Sequence, residues 1–439
     1  MPFNSFRHLR ILNYSVKIKR LIIKGVNFMS IIKDINLAPS GEMKINWVER
    51  NMPVLRGIGH RFSEEKPFKG LKVALSVHLE AKTAYLCRVM EMGGAEMYVT
   101  GSNPLSTQDD VAAALAAGGM NVFAEYGCTE QQYEDCLREV LKIGPNIIID
   151  DGGDLVHLMH EEFADLIPGV IGGCEETTTG INRLRIMSAA GALRFPMVMV
   201  NDADCKHMFD NRYGTGQSVW DGIMRTTNLI IAGKRVVVSG YGWCGKGVSM
   251  RAKGMGAKVI VTETNPVRAL EAVMDGFDVM PMNEAAALGD IFVTVTGCSG
   301  VITREHFLKM KDGAMLTNAG HFDVEVDMAG LCDMALRRFD ARHNIQGYEL
   351  PNGRTVFTIA EGRLVNLAAA DGHPAEIMDM SFAIQALSCE YLAKNRGRLS
   401  PGVVPVPREL DEAVACRKLR AMGVEIDALS AEQKEYLGV

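Results

Sequence analysis

The feature that most constrains this chain is a glycine pattern in a fixed context. Residues 235–239, Arg-Val-Val-Val-Ser, read as a strand, and Gly240-Tyr-Gly242-Trp-Cys-Gly245 follows at once. A helix through Val248 to Gly256 comes next, then a second strand over residues 257–262, and Glu263 stands 18 residues past Gly245. GxGxxG alone is a weak signal. A strand before it, a helix after it and an acid at the end of the next strand make it a dinucleotide fingerprint. Gly240 permits the tight turn, Gly242 lets the backbone approach a pyrophosphate, and Gly245 allows close helix–strand packing. The phosphates then rest on the helix N-terminus. Glu263 can accept from a ribose hydroxyl and would repel a 2′-phosphate, so NAD is expected rather than NADP. Residues 294–298 and 317–321 follow two later strands, 291–293 and 314–316, and should flank the cofactor.

The preceding half of the chain shows the same alternation. Residues 72–76, 95–100, 121–124, 146–149 and 197–200 read as short, nearly continuous apolar strands, with helices over 83–92 and 130–141 among them. Such strands imply a parallel sheet covered on both faces. A second α/β block starts at Lys234 and runs to about 370, and a helix over about 374–395 follows. In these sheets ligands sit beyond the carboxyl ends of the strands. The polar residues there are His78, Ser102-Asn103, Glu125, Asp150-Asp151 and Asn201-Asp202.

Composition narrows the function classes. Of 439 residues, 47 are Lys or Arg and 53 Asp or Glu, a net charge of −6. A mildly acidic chain is a poor nucleic-acid binder, since such binding rests largely on phosphate neutralisation. No run of about 20 apolar residues indicates a membrane span. The ten cysteines are scattered and none forms CxxC, so reduced thiols in the cytoplasm are expected, with no metal site. Residues 1–28 carry six basic residues and no acid, and Met29-Ser30 would make a plausible start. They read as a disordered tail or upstream mis-start; an organelle presequence stays open, whereas the apolar core of a secretory signal is lacking.

Several segments occur in one order: Asp150-Asp-Gly-Gly-Asp154, Glu175-Glu-Thr-Thr-Thr-Gly180, Phe209-Asp-Asn211, Gly240-Tyr-Gly242, Gly320-His-Phe-Asp323, Glu361-Gly-Arg-Leu-Val-Asn366 and Gly372-His-Pro374. With them the chain closely resembles the S-adenosylhomocysteine hydrolase family, over about residues 40 to 437. The resemblance implies an α/β fold with a split substrate domain (29–205 and 374–405), a doubly wound Rossmann-type NAD domain (206–373), a C-terminal segment (406–439) and a homotetramer. It implies NAD-dependent reversible hydrolysis of S-adenosyl-L-homocysteine to adenosine and homocysteine. The ribose 3′-hydroxyl is oxidised, homocysteine is eliminated, water adds, and the ketone is reduced again. Lys206 and Asp210 match the pair at the 3′-hydroxyl. Lys206 is the base there, which calls for a lowered pKa, and burial beside NAD⁺ would supply it. Glu176 matches the carboxylate on the ribose hydroxyls, and His78 and Asp151 the pair that manages protons and water near C4′ and C5′. Asn103 and Asn211 match positions around the same site, with Asn211 also near the nicotinamide. His321 and His373 match substrate-side histidines near the hinge. Thr177, Thr178, Thr179, Arg268, Thr296 and Asn318 match cofactor contacts, and Asn366 the carboxamide partner.

Taken singly these residues prove little. A lone loop histidine such as His78 is usually satisfied by its surroundings, and Asp-Gly-Gly suits a turn. Two departures stand out. Many family members end in a Lys- and Tyr-bearing tail that reaches a neighbouring subunit's NAD; here the sequence reads Tyr436-Leu-Gly-Val439, so easier NAD loss is expected. The family segment His-x-Thr-x-Glu-Thr, which faces the purine 6-position, reads His78-Leu-Glu80-Ala-Lys82-Thr83. Lys donates and cannot accept. Lys82 and Glu80 would suit a 6-oxo purine, so S-inosyl-L-homocysteine is the alternative substrate, although the two side chains could serve adenine by exchanging targets. A net NAD-dependent dehydrogenase is a further alternative.

Overall fold

The computed structural model describes residues 19–23 and 26–438. Strands β1 (Lys19–Ile23) and β2 (Val26–Ser30) pair as an antiparallel ribbon. This differs from the disorder expected over residues 1–28; the stretch is rich in Ile and Val, which favour strands. The rest of that expectation falls outside the described residues.

Six strands follow: β3 (Lys72–Ser76), β4 (Glu96–Thr100), β5 (Asn121–Phe123), β6 (Ile147–Asp150), β7 (Gly172–Glu175) and β8 (Pro196–Met199). Eight more build a second sheet: β9 (Arg235–Ser239), β10 (Lys258–Thr262), β11 (Asp278–Val279), β12 (Ile291–Thr294), β13 (Ala314–Asn318), β14 (Arg337–Arg342), β15 (Ile345–Glu349) and β16 (Thr355–Ile359). A last strand, β17 (Gly402–Pro405), returns to the first sheet and pairs with β8. The order of the first sheet is β17-β8-β7-β6-β3-β4-β5, all parallel. The second runs β11-β10-β9-β12-β13-β16 in parallel, and β15 and β14 extend it antiparallel.

Both faces of each sheet are covered. Val73 and Leu75 of β3 pack into one buried cluster and Ala74 between them into another, as alternation along a strand requires. On β9, Val236 and Val238 pack to one side and Val237 to the other. The helix Ala375–Lys394 crosses back onto the first half, next to the helices Pro53–Glu65 and Ala81–Met92. Residues 399–407 are rich in proline and contain β17, where proline is tolerated because the strand lies at the sheet edge. The C-terminal segment divides. Its helix Arg408–Ala421 packs on Ala375–Lys394, and Asp411 accepts from the backbone N–H of Asp204 at 2.6 Å and of Cys205 at 3.0 Å. Residues 422–438 are exposed throughout. Among the described residues no helix is long and apolar enough to cross a membrane.

Candidate active site

In each half the strand order reverses beside the first strand, between β3 and β6 and between β9 and β12, while the strands stay parallel. Crevices open at such points. The carboxyl ends of both sheets line one cavity of about 1040 Å³.

His78 lies just past β3 and Asp151 just past β6. His78 Nε2 is 3.5 Å from Asp151 Oδ2, and His321, from the loop after β13, brings Nδ1 within 3.9 Å of Asp151 Oδ1. Ser102 donates to Asp151 at 3.2 Å. His78 Nδ1 and Ser106 Oγ share a 2.7 Å hydrogen bond, and Ser106 donates its own proton to the Asn103 carbonyl at 3.1 Å. This places the proton of a neutral His78 on Nδ1 and leaves Nε2 as acceptor beside Asp151. Burial holds the imidazole down at about 4, against the pull of Asp151 and with the help of His321 and His373. Asn103 lies to the side: its Oδ1 accepts from Leu105 N at 2.9 Å, and it lines only a small cleft behind His78. Of the other strand-end polar residues, Asp202 pairs with Arg185 at the surface and Glu125 does not line the cavity.

Lys206, Asp210 and Asn211 lie on one wide-turned stretch, Asp204–Lys206 running into the π-helical His207–Gly214, a form that recurs at functional sites. Lys206 Nζ sits 3.1 Å from Asp210 Oδ2 and 3.5 Å from Glu176 Oε1, and donates to Asn211 Oδ1 at 3.0 Å and Asn201 Oδ1 at 3.3 Å. The lowered Lys206 pKa expected from the sequence does not occur in the protein itself. Burial alone would lower it, but Asp210 and Glu176 outweigh that and raise it above the usual lysine range. Asp210 is held well below the carboxylate range despite its burial, by Lys206, His373 and Ser381. Glu176 goes the other way: burial pushes it up to about 7, although Lys206 opposes the shift. His373 also shares hydrogen bonds with Thr215 and Asn366, each at 3.2 Å.

Across the cavity the surface is backbone and glycine. Gly240 has φ +98°, which favours glycine. A Cβ on Gly245 would lie 1.9 Å from the Gly240 carbonyl oxygen, whereas one on Gly242 would meet only Arg268 Nη1 at 3.8 Å. Gly242 is therefore bare towards the cavity, as a pyrophosphate on the helix Trp243–Gly254 requires. Glu263 accepts from Tyr241 N at 2.7 Å, Thr264 N at 2.7 Å and Asn265 N at 2.9 Å. Burial opposes ionisation there, but the backbone donors hold the carboxyl below its ordinary range. Asn366 presents an Oδ1 that is buried and has no hydrogen-bond partner, suited to a carboxamide N–H. These groups fit NAD. Thr177, Thr178, Thr179 and Thr296 also line the cavity. Asn318 does not: its amide is taken up by Thr294, Gly320 and Phe322, and it shapes the turn that carries His321.

Glu80 and Lys82 begin the helix Ala81–Met92 and are both buried at the cavity wall. Lys82 Nζ lies 2.7 Å from Glu80 Oε2 and donates to the Asp371 carbonyl at 2.8 Å. Glu80 also accepts from the backbone N–H groups of Lys82 and Thr83, and Thr83 Oγ1 lies 3.5 Å away. Its acceptor sites are thus spent within its own helix start, which differs from the expected role of accepting from a base. A charged lysine has three donors, so Lys82 keeps one.

Some supporting residues were reached in the sequence by position only, and others escaped it. Ser102 and Asn201 sit at strand ends, where position alone pointed to them. Ser381, Gln385 and Glu325 are buried polar residues; Glu325 holds the loop at Thr296 and Gly297, accepting from Thr296 N at 2.9 Å and Gly297 N at 2.8 Å.

Two family models match this chain: "S-adenosyl-L-homocysteine hydrolase" over residues 29–167 and its NAD-binding domain over residues 211–372. The chain is 58% identical to the adenosylhomocysteinase of Thermococcus kodakarensis, across 92% of this chain and 96% of that one. It is 57% identical to the S-inosyl-L-homocysteine hydrolase of Methanocaldococcus jannaschii, with 92% and 98% covered. It is also 57% identical to the adenosylhomocysteinase of Aquifex aeolicus, with 92% and 97% covered. A glycine cradle matched by the family's NAD domain, facing the charged cluster at the first sheet, makes this protein an NAD-using hydrolase that belongs to the S-adenosyl-L-homocysteine hydrolase family.

Proposed function

We propose that the protein catalyses the reversible hydrolysis of S-adenosyl-L-homocysteine to adenosine and L-homocysteine. The observation that carries this is the buried Lys206–Asp210–Glu176 cluster, which opens into the same cavity as His78–Asp151 and the glycine cradle. NAD, held by the glycine cradle and Asn366, would supply the hydride acceptor for ribose C3′ and the donor that restores it, leaving no net redox change. Lys206 handles the proton of the 3′-hydroxyl. Because its neighbours keep it as an ammonium, it must pass a proton on before it can accept one. Glu176, whose Oε1 lies 3.5 Å away, is the neighbouring carboxyl group placed to exchange that proton. Once C3′ is a ketone the C4′ proton is acidic, and the Asp151–His78 pair is placed to remove it. The C5′–S bond then breaks, homocysteine leaves as thiolate, and the same pair guides water onto C5′.

The nucleobase admits a second reading, S-inosyl-L-homocysteine. The observation in its favour is the remaining Lys82 donor at the cavity wall, which suits the O6 acceptor of a 6-oxo purine. Incubating the protein separately with the two thioethers and following homocysteine release decides between them. NADH accumulating beyond the enzyme present would instead indicate a net dehydrogenase.

The domain assignment proposed here is a substrate half (29–205 and 374–405), an NAD half (206–373) and the C-terminal segment. We assign the protein to the cytoplasm, in keeping with its ten free cysteines. A homotetramer is supported by the exposed Val424, Ile426, Leu429 and Leu437 of the C-terminal segment; light scattering on the purified protein tests it.

A further inference from the structure

The helix Ala375–Lys394 is largely apolar, yet Ser381 and Gln385 lie fully buried within it. They are four residues apart and share a face. Met378 and Phe382 of the same helix line the cavity, so that face looks onto the site. A buried hydroxyl or amide is costly unless paired. Both find their partner in a carboxylate beside Lys206: Ser381 Oγ donates to Asp210 Oδ2 at 2.8 Å, and Gln385 Nε2 donates to Glu176 Oε2 at 2.5 Å. Gln385 thereby occupies one oxygen of Glu176. The other, Oε1, is buried without a hydrogen-bond partner of its own and faces Lys206 at 3.5 Å.

We propose that Ser381 and Gln385 are positioning residues for the 3′-oxidation, together fixing the carboxylates of Asp210 and Glu176 on either side of Lys206. Gln385 decides which oxygen of Glu176 is offered to substrate; Ser381 and His373 hold one oxygen each of Asp210 and so fix the plane of its carboxylate. This inference rests on the hydrolase reading above. It also has a titration consequence. The charged or titratable groups facing Glu176 are Lys206, Asp210 and Asp151, and Gln385 adds a hydrogen bond that favours the ionised carboxylate. Without that bond Glu176 protonates at higher pH.

The test uses the full-length, NAD-loaded protein and measures reduced-nicotinamide absorbance in a single turnover across pH, together with kcat and KM. Gln385→Met should move the acid limb of the oxidation up by about one pH unit. Gln385→Glu, matched in volume, should instead add an alkaline limb, because the new carboxyl donates only while protonated. It decides the question where Gln385→Met does not fold. Ser381→Ala should lower kcat roughly tenfold while KM changes little. Variants of Gln385 whose rates fall equally at every pH, or a Ser381→Ala change confined to KM, would overturn the positioning role. A wild type that releases no homocysteine from either thioether would overturn the hydrolase reading instead.

Discussion

Strands β3 to β8 run in the order β8-β7-β6-β3-β4-β5, and β9 to β13 with β16 run β11-β10-β9-β12-β13-β16, so the two halves share one plan. Their carboxyl ends differ. The first half ends in titratable side chains: His78 after β3, Asp151 after β6 and Glu176 after β7. The second ends in glycine turns, Gly240 and Gly297, both at positive φ. One scaffold thus presents side-chain chemistry on one side and bare backbone on the other. The side chains at the first sheet's carboxyl edge, joined by Lys206 and Asp210 on the stretch that links the two sheets, handle protons, which needs particular functional groups. The NAD half must let a large ligand approach its backbone, which needs the absence of side chains. Deleting a functional group in the first should stop chemistry and keep the cofactor. Adding a methyl in the second should do the reverse.

The largest effect is expected at Lys206. Lys206→Ala should lower the rate of 3′-oxidation by about 10²–10⁴-fold, as for other positioned acids and bases, so reduced nicotinamide does not form in a single turnover. Asp210→Asn should act in the same step, by weakening the hold on Lys206. Asp151→Asn should spare the oxidation and slow elimination and hydration. Its mark is reduced nicotinamide that forms at the normal rate and then persists. If Asp151→Asn abolished the oxidation while Lys206→Ala left it intact, the roles would be reversed. All three proteins should retain NAD; loss of NAD from them would break the contrast between proton-handling side chains and bare backbone.

Two glycine variants probe the other half. Gly242→Ala has room in the protein, with Arg268 Nη1 at 3.8 Å as the only neighbour of the new methyl. It should fold normally and bind NAD more weakly, since the methyl points where the phosphates approach. Gly245→Ala cannot avoid the Gly240 carbonyl at 1.9 Å and must move the turn, at a cost of about 1–3 kcal/mol. It should lower both stability and NAD affinity. Thermal unfolding with and without added NAD separates the two. Equal loss of stability in both variants would mean that the turn tolerates no methyl anywhere, and the argument from phosphate approach would fail.

The same contrast explains what could be read from the sequence. The NAD half announces itself because glycine spacing encodes backbone shape locally: β9, the turn and Glu263 stand where the pattern put them. Most strands of the first half were equally plain, but β7 was not, since Gly172-Gly173-Cys174-Glu175 has little strand character of its own and is held by β6 and β8. The edge strand β17 was also missed, because its partner β8 is supplied by tertiary context, and so was the hairpin β14–β15, whose first strand, Arg337–Arg342, is charged and exposed and shows no apolar run. Most residues that line the cavity beside Lys206 and Asp151 could be named from motifs, but not their protonation. Lys206 is kept charged by Glu176, 30 positions earlier in the chain, and by Asp210. Gln385 meets Glu176 from 209 residues away. Such pairings exist only once the helix Ala375–Lys394 has crossed back.

The smallest effect concerns the base, where a side chain of the first half touches the segment leading back from the second. Lys82 Nζ holds the Asp371 carbonyl, next to Gly372 and His373, so it has a structural duty as well as any duty to substrate. Lys82→Met keeps the aliphatic stem and removes the donor. If Lys82 only ties down residue 371, kcat/KM should fall alike for the adenosyl and inosyl thioethers. If its free donor reads O6, the inosyl substrate should lose about tenfold more, the scale of one hydrogen bond to a charged group. Glu80 should not compensate, because the backbone N–H groups of Lys82 and Thr83 still occupy it after the substitution. The ratio of the two kcat/KM values is therefore the measurement to make: general damage to the fold cancels in it, whereas a lost contact at the purine 6-position does not. An unchanged ratio would remove Lys82 from base recognition and leave the adenosyl reading without a rival at this position.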